Sequence, residues 1–123
     1  MRTPREELIA TIDELERAFD DVARCLATAR DPNQNFRERI VNGEPVAEAF
    51  SSATKEIRAS LDQALKSLET ARHRGRLAVF AVGLNEGVSI GELSRLYGFS
   101  RQLGQRFARE VREDHEPSST PTT

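Results

Sequence analysis

The chain has 123 residues, of which 37% are hydrophobic and 31% charged. This length supports one modest domain, or a small folded module joined to an oligomerisation element. Trp is absent and the aromatic residues are six Phe and one Tyr, so extended helices with apolar surface buried between chains are favoured over a large deep core. Since no apolar run approaches the roughly 20 residues that span a bilayer, a membrane partner is not expected.

The reactive side chains of the sequence exclude several function classes. Cys25 is the single cysteine and adjoins Leu26 of an apolar stripe, so we expect a small buried thiol at a helix interface and no intrachain disulfide. The N-terminus lacks the pattern of an export leader, and a cytoplasmic location is expected. His73 and His115 are far apart in sequence, and no residues have metal-ligand spacing. The sequence therefore predicts no metal, no other cofactor and no enzymatic activity.

The N-terminal part predicts one amphipathic helix over residues 4 to 30. Thr3-Pro4-Arg5-Glu6 combines a capping Thr, Pro at the first helical position and Glu three residues after the cap, which is a reciprocal capping box. Asp31-Pro32 is expected to end the helix and to begin a short turn that reaches about Val41. Apolar residues recur with the period of a coiled-coil seam. They are Leu8, Ile12, Leu15, Phe19, Val22, Leu26 and Ala29.

A second long helical pattern follows the turn residues Asn42-Gly43-Glu44-Pro45. It has the same seam period, apart from Thr54 at one seam position, and Gly75 either breaks it or lies within a continuous helix. Its apolar residues are Ala47, Phe50, Ile57, Leu61, Ala64, Leu68 and Ala71.

Two helices with one apolar stripe each are expected to pack on one another as a hairpin within the chain, or on copies of themselves. A homodimer that uses both helices is the favoured interpretation. The residues assigned to dimerisation are Leu8, Ile12, Leu15, Phe19, Val22 and Leu26 of the first helix and Ile57, Leu61 and Leu68 of the second.

Three short helices are predicted in the C-terminal third. In the first, Leu77, Phe80, Ala81 and Leu84 share one face, and Gly87 follows at the C-terminal capping position.

A second capping box, Ser89-Ile90-Gly91-Glu92, begins the next helix, which presents Ile90, Leu93, Ser94 and Tyr97 on one side. Gly98 supplies the positive φ of a sharp turn, Phe99 fills the corner and Ser100 caps the last helix. That helix is expected from Arg101 to about Arg112. Its inward side chains are Leu103, Phe107 and Val111.

The stretch SIGELSRLYGFSRQLGQRF, residues 89–107, resembles the helix-turn-helix family of bacterial DNA-binding domains. The pattern of that family is a small residue, Gly four positions later, an apolar corner and a capped second helix. Ser94, Gly98, Phe99 and Ser100 match this pattern. The resemblance implies a three-helix fold that reads duplex DNA with its last helix, and it does not cover the first 70 residues.

Two residues depart from the family pattern. Ser94 stands where Ala is usual, and Gly104 falls where the family buries Val or Ile. Gly inside a helix costs about 1 kcal/mol relative to Ala and leaves space unfilled. We expect Leu103, Tyr97 or Phe107 to occupy that space, or the last helix to be weaker than usual.

The charge of the C-terminal part suits a DNA partner although the whole chain carries −2. Residues 72–112 contain eight Arg against three acidic residues, a local charge of +5. A helix fits the major groove, and residues near its start reach base edges. The predicted base-reading residues are Arg101, Gln102, Gln105 and Arg106. The predicted phosphate contacts are Ser100, Arg95, Arg109, Arg74 and Arg76, and a minor-groove role for Arg74-Gly75-Arg76 is less favoured than helix-surface charge.

The sequence thus predicts an all-α chain with a helical dimerisation module over residues 1–72, a helix-turn-helix over 73–113 and a disordered tail over 114–123. The predicted function is sequence-specific binding of double-stranded DNA by a homodimer, as a transcriptional regulator at the nucleoid. The alternatives are a protein-interaction adaptor that binds a partner through the N-terminal helices, and an accessory factor in plasmid, phage or nucleoid maintenance.

Overall fold

The computed structural model describes residues 2–50 and 52–115, and every regular element within these ranges is an α-helix. The prediction of an all-α chain is confirmed. The helices are α1 (Pro4–Val41), α2 (Val46–Ala49), α3 (Ser52–Asn85), α4 (Ile90–Tyr97) and α5 (Arg101–His115). None of the helices in the described ranges has the length and apolar character needed to cross a membrane. The rest of the predicted tail, residues 116–123, lies outside the described residues.

The predicted capping box at the start of α1 is confirmed. The Thr3 N–H donates to Glu6 Oε1 at 2.9 Å, and the Glu6 N–H donates to Thr3 Oγ1 at 3.1 Å. The hydrogen bond from the Thr3 backbone, followed by an interaction with the Thr3 side chain, holds the pKa of the Glu6 carboxyl below its ordinary value of 4.5. Because this pKa is lowered in the folded state, the ionised Glu6 side chain contributes to the free energy of unfolding at neutral pH. This stabilisation is lost as the pH falls through the pKa of Glu6 in the folded chain.

The predicted helix end at Asp31-Pro32 is wrong, because α1 continues to Val41 with Pro32 inside it. An interior Pro removes one backbone hydrogen bond and costs about 3 kcal/mol. Contacts beyond Pro32 favour the longer helix. The rings of Phe36 and Phe50 meet edge to face with centroids 5.5 Å apart, and the Arg39 guanidinium donates two hydrogen bonds of 2.9 Å to the Glu44 carboxylate. The residues after Pro32 therefore have partners in the helical conformation.

The second long helix begins later than its pattern suggests and is continuous through Gly75. Ala47 lies in the short helix α2, and Phe50 is extended, with φ −87° and ψ 95°. From Ser52, α3 runs without interruption to Asn85. A Cβ atom at Gly75 would meet only Thr11 Oγ1, at 4.0 Å.

The chain divides into two compact units, and the two long helices contribute to both. The middle unit is Leu15–Ala71, and the terminal unit combines Met1–Glu14 with Arg72–Thr123. The first turns of α1 therefore belong to the same unit as α4 and α5.

An aromatic core organises the terminal unit. Phe80 of α3 is fully buried, and its ring stacks against the rings of Phe99 and Phe107 with centroids 6.3 and 5.6 Å away. Leu93 of α4 and Val111 of α5 complete the buried cluster with Ala108. The apolar inward-facing residues predicted in the last three helices lie in or against this core, whereas Tyr97 is 37% exposed although its ring lies 6.1 Å from that of Phe80. Those packed against it with partial exposure include Leu77, Ala81, Leu84, Ile90 and Leu103.

Two glycines allow α4 to approach its neighbours closely. A Cβ atom at Gly104 would lie 1.7 Å from Ser94 Oγ and 3.0 Å from Ser94 Cβ, and one at Gly83 would lie 2.7 Å from Leu93 Cδ2. Ser94 Oγ is itself held, because it donates to the Ile90 carbonyl at 2.7 Å. The expectation of unfilled space at Gly104 is therefore wrong, since the two helix backbones come together where the Cβ is missing.

The middle unit pairs the two long helices in opposite directions. Phe36 contacts Phe50 near the connecting turn, and further along both helices Cys25 Sγ lies 3.9 Å from the Ser60 carbonyl oxygen. Ala18 and Ala64 are buried, and Cys25 is half-buried.

The apolar residues that were expected to form one seam along α1 fall into two rows that differ in the exposure of their side chains. Leu8, Leu15, Val22 and Ala29 are partly buried, whereas Ile12, Phe19 and Leu26 are about half exposed. The three residues assigned to dimerisation in the second helix, Ile57, Leu61 and Leu68, are partly buried.

The close approach at Gly104 makes the substitution Gly104→Ala destabilising. Ala has the higher helix propensity by about 1 kcal/mol, but its Cβ would overlap Ser94 Oγ, and overpacking costs about 1–3 kcal/mol. We expect the free energy of unfolding, measured by urea denaturation, to fall. The matched control Gly75→Ala, inside a helix with room for a Cβ, is expected to raise it by about 0.5–1 kcal/mol.

The exchange Ser94→Gly with Gly104→Ala tests the cause, because it removes the clashing side chain. Its free energy of unfolding is expected to exceed that of Gly104→Ala alone. A Gly104→Ala chain as stable as the parent would contradict the assigned contact.

Candidate nucleic-acid interface

Hydrogen bonds at three positions fix the connection from α4 to α5. Ser89 caps α4, since its Oγ accepts from the Glu92 N–H at 3.1 Å. Gly98 has φ +72° and ψ 25°, and it ends the helix as predicted. The Ser100 Oγ accepts from the Leu103 N–H at 3.1 Å and caps α5. The direction in which α5 leaves the turn is therefore set by local bonds and by the left-handed conformation of one residue.

Phe99 occupies the corner between the two helices. Its ring lies 5.0 Å from the Tyr97 ring and 5.1 Å from the Phe107 ring, measured between centroids. The Arg76 guanidinium lies over the Phe99 ring, 5.6 Å from its centroid. Burial raises the pKa of Tyr97 above its ordinary value, and the charge of Arg76 opposes this in part.

The sides of α5 differ sharply in burial. Gly104, Phe107, Ala108 and Val111 are buried. All four predicted base-reading residues are exposed, and none forms an ion pair or side-chain hydrogen bond with the part of the chain that the structure describes. These residues are Arg101, Gln102, Gln105 and Arg106.

Of the predicted phosphate contacts, Ser100 is exposed and caps α5, and the four arginines divide into two groups. Arg95 and Arg109 are exposed and have no ion-pair partner among the described residues. Arg74, by contrast, pairs with Glu14, with Nη1 and Oε1 2.7 Å apart, and Arg76 is held over Phe99. A phosphate group at Arg74 would have to compete with a carboxylate of the same chain.

Two acidic side chains of the terminal unit have partners within that unit. Glu110 of α5 lies 2.9 Å from His73 Nε2, measured from Oε2, and the ring of His73 packs against Phe107. Glu86 pairs with Arg5 at the start of α1. The Arg5 guanidinium offsets the charge of Glu86, whereas His73 offsets that of Glu110 only when its ring is protonated.

Three features of the terminal unit were not predicted from the sequence. Leu96 on α4 is 79% exposed beside Arg95. A groove of about 260 Å³ is lined mainly by apolar side chains, among them Leu77 and Val111. The ion pair of Arg5 with Glu86 joins residues that are 81 positions apart. Only Leu96 had a sequence signal, because it lies off the apolar face of α4.

Comparison with known proteins gives no family for this chain: no family model, no curated protein sequence and no solved structure matches it. The described residues contain no group of His, Cys, Asp and Glu that would hold a metal ion.

The left-handed conformation of Gly98 makes the turn sensitive to substitution. We expect Gly98→Ala to lower the free energy of unfolding by about 1–2 kcal/mol, because a Cβ atom is strained at positive φ. Gly98→Asn is the control and should lose less, since Asn tolerates this conformation. Denaturant unfolding monitored by circular dichroism measures both. Equal stability of Gly98→Ala and the parent chain would show that the turn does not need glycine.

Proposed function

We propose that α4, the turn 98–100 and α5 form a helix-turn-helix, and that the protein is a small, non-enzymatic regulator that binds duplex DNA. The observation that carries the proposal is the exposed Arg and Gln face at the start of α5, which stands on a turn fixed by Gly98 and the Ser100 cap. Side chains without intrachain partners on a rigid helix are free to bond to an external ligand.

The chemistry of that face suits base recognition in the major groove. Arg donates two hydrogen bonds to guanine, and Gln bonds adenine through both its amide groups. Gln102, Gln105, Arg106 and Arg109 share one side of α5, because helical residues three and four positions apart are neighbours. Arg101 precedes them in the first turn, where recognition helices contact bases.

Arg95 and Arg109 would supply the contacts that position the protein on DNA. Both are exposed arginines, and contacts to phosphate fix register and orientation without reading sequence. The field that matters to a phosphate falls off over about 10 Å in ordinary salt, so the net charge of −2 over the whole chain does not oppose local binding.

The small size of a single helix-turn-helix favours binding as a homodimer. A single helix-turn-helix touches few base pairs, and two-fold pairing lets two recognition helices address half-sites about one turn of DNA apart. The dimer is therefore part of the proposal.

A protein-interaction adaptor is the second candidate. Phe19 and Leu26 favour it, because they are large apolar side chains about half exposed in the middle unit. In that case the terminal unit would have only a structural role. Salt separates the two candidates: affinity for duplex DNA must fall steeply between about 50 and 200 mM salt if phosphates are bound, and no binding at low salt would favour the adaptor.

Substitutions on α5 test base reading. After selection of a bound sequence from random DNA, Arg101→Ala and Gln102→Ala are expected to weaken binding to that sequence by about 1–3 kcal/mol and binding to random duplex much less. Arg109→Ala is expected to weaken both alike. Fluorescence anisotropy with labelled duplexes measures the affinities.

Arg17→Ala is the charge-matched control, since Arg17 is exposed in the middle unit and forms no ion pair with the described residues. It should leave both affinities close to those of the parent. Equal losses on selected and random duplexes for every α5 variant would contradict base reading.

A further inference from the structure

The middle unit has a row of apolar side chains that the other described residues of this unit leave exposed. Phe19 and Leu26 of α1 are 48% and 54% exposed, and Leu65 of α3 is 43% exposed. We infer that this row is the dimer interface, with a second copy of the middle unit packed on it; the inference rests on the dimer of the proposed function and adds its surface and its orientation.

The pattern of α1 supports two helical neighbours for this segment. One row, Leu15, Ala18, Val22, Cys25 and Ala29, is buried or partly buried against the returning helix. A second row consists of the residues that follow each of these in the sequence, so it lies beside the first row and has the same alternating spacing of three and four residues. Its members are Glu16, Phe19, Ala23, Leu26 and Arg30, all exposed. Helices of four-helix bundles carry such adjacent rows because each contacts two others.

The two sides of the helix pair differ in the size of their apolar side chains. On one side a groove of about 310 Å³ is lined by Leu26 and Ala29 of α1 and by Ile57 and Leu61 of α3, with Pro32 and the polar residues Arg30, Asn33, Thr54 and Arg58 completing its lining. Leu65 is four residues after Leu61 and continues this side.

The opposite side of the pair has small and polar side chains. Asp21, Arg24, Ser60, Gln63 and Ser67 line the shallow surface there, together with Cys25, Ala59 and Ala64. Large exposed apolar side chains, which can form the core of an interface, are present on the side with Phe19 and Leu26.

Charge favours a second copy in the antiparallel orientation as the occupant. Within the exposed row of α1, Glu16 lies at one end and Arg30 at the other, and neither forms an ion pair with another residue of the described chain. Further round the helix, exposed acidic residues occur at both ends, at Asp20, Asp31 and Glu38. An antiparallel copy brings Glu16 of each copy toward Arg30 of the other, whereas a parallel copy opposes like charges.

The small residues fall where the two-fold axis would pass. Ala23 and Ala27 lie between Glu16 and Arg30, so a two-fold axis near Ala23 lets the helices approach closely. In this register Phe19 of the second copy reaches the level of Leu26 and Arg30, which line the groove. The same surface then meets itself across the axis, as a two-fold interface requires.

Sedimentation equilibrium of the full chain without DNA tests the interface. The parent chain is expected to be a dimer at micromolar concentration. Leu26→Glu should weaken the dimer on the order of 100-fold or more, because it places an unpaired carboxylate in the interface. Gln63→Glu adds the same side chain on the polar side and should leave the dimer intact. Circular dichroism checks that each variant is still helical.

Charge exchange tests the orientation and does not depend on a folding defect. Glu16→Arg and Arg30→Glu should each weaken the dimer, and the double variant should recover it, because the acidic and basic ends are exchanged together. Loss of the dimer in the double variant as severe as in both single variants would overturn the antiparallel pairing.

The outcome separates this interface from DNA binding. A monomeric parent chain would overturn the interface, and so would a dimer that Gln63→Glu disrupts as strongly as Leu26→Glu does. A monomer that still binds DNA would leave the proposed helix-turn-helix unaffected. A dimer that binds no DNA would overturn the proposed function and keep the interface.

Discussion

The contact between Ser94 and Gly104 is the constraint on which the terminal unit depends. α4 and α5 meet where Gly104 has no Cβ, because a methyl group there would overlap Ser94 Oγ. Ser94 is fixed in turn by its bond to the Ile90 carbonyl. This approach sets how deeply Phe107 reaches the core, and so which side of α5 remains exposed. The polar face of α5 is thus a consequence of how the helices cross.

Local signals predicted the elements around the candidate site well, because their causes are local. The Ser100 cap and the positive φ of Gly98 follow from hydrogen bonds and backbone sterics within a few residues, and both are present. The same holds for the capping box at Thr3. Spacing alone also placed the polar side chains of α5 on one side of that helix. What those side chains bind is a separate matter, since exposure shows only that they are available.

Features that depend on distant contacts were beyond local reasoning. Pro32 is a helix breaker by its own chemistry, yet α1 continues through it to a segment where Phe36 packs on Phe50. The spacing of apolar residues predicted one seam along α1, because two neighbouring rows on a helix both fit a spacing of three and four residues. The two rows differ only in whether they face α3, which the sequence of α1 does not show. Gly104 was interpreted as missing volume, because a sequence does not show how near the facing helix comes. In each case the deciding atom belongs to another element.

The ion pairs within the fold determine which charged side chains of residues 72–112 are available to an external ligand. The sequence assigns +5 to residues 72–112 by counting every side chain alike. In the fold, Arg74 pairs with Glu14, and two of the three acids, Glu86 and Glu110, lie against Arg5 and His73. The exposed arginines Arg95, Arg101, Arg106, Arg109 and Arg112 have no ion-pair partner within the described ranges. The arginines without such partners therefore lie on α5 and at the end of α4, where phosphate binding would need them, and the acidic residues Glu113 and Asp114 follow in the last turn of α5.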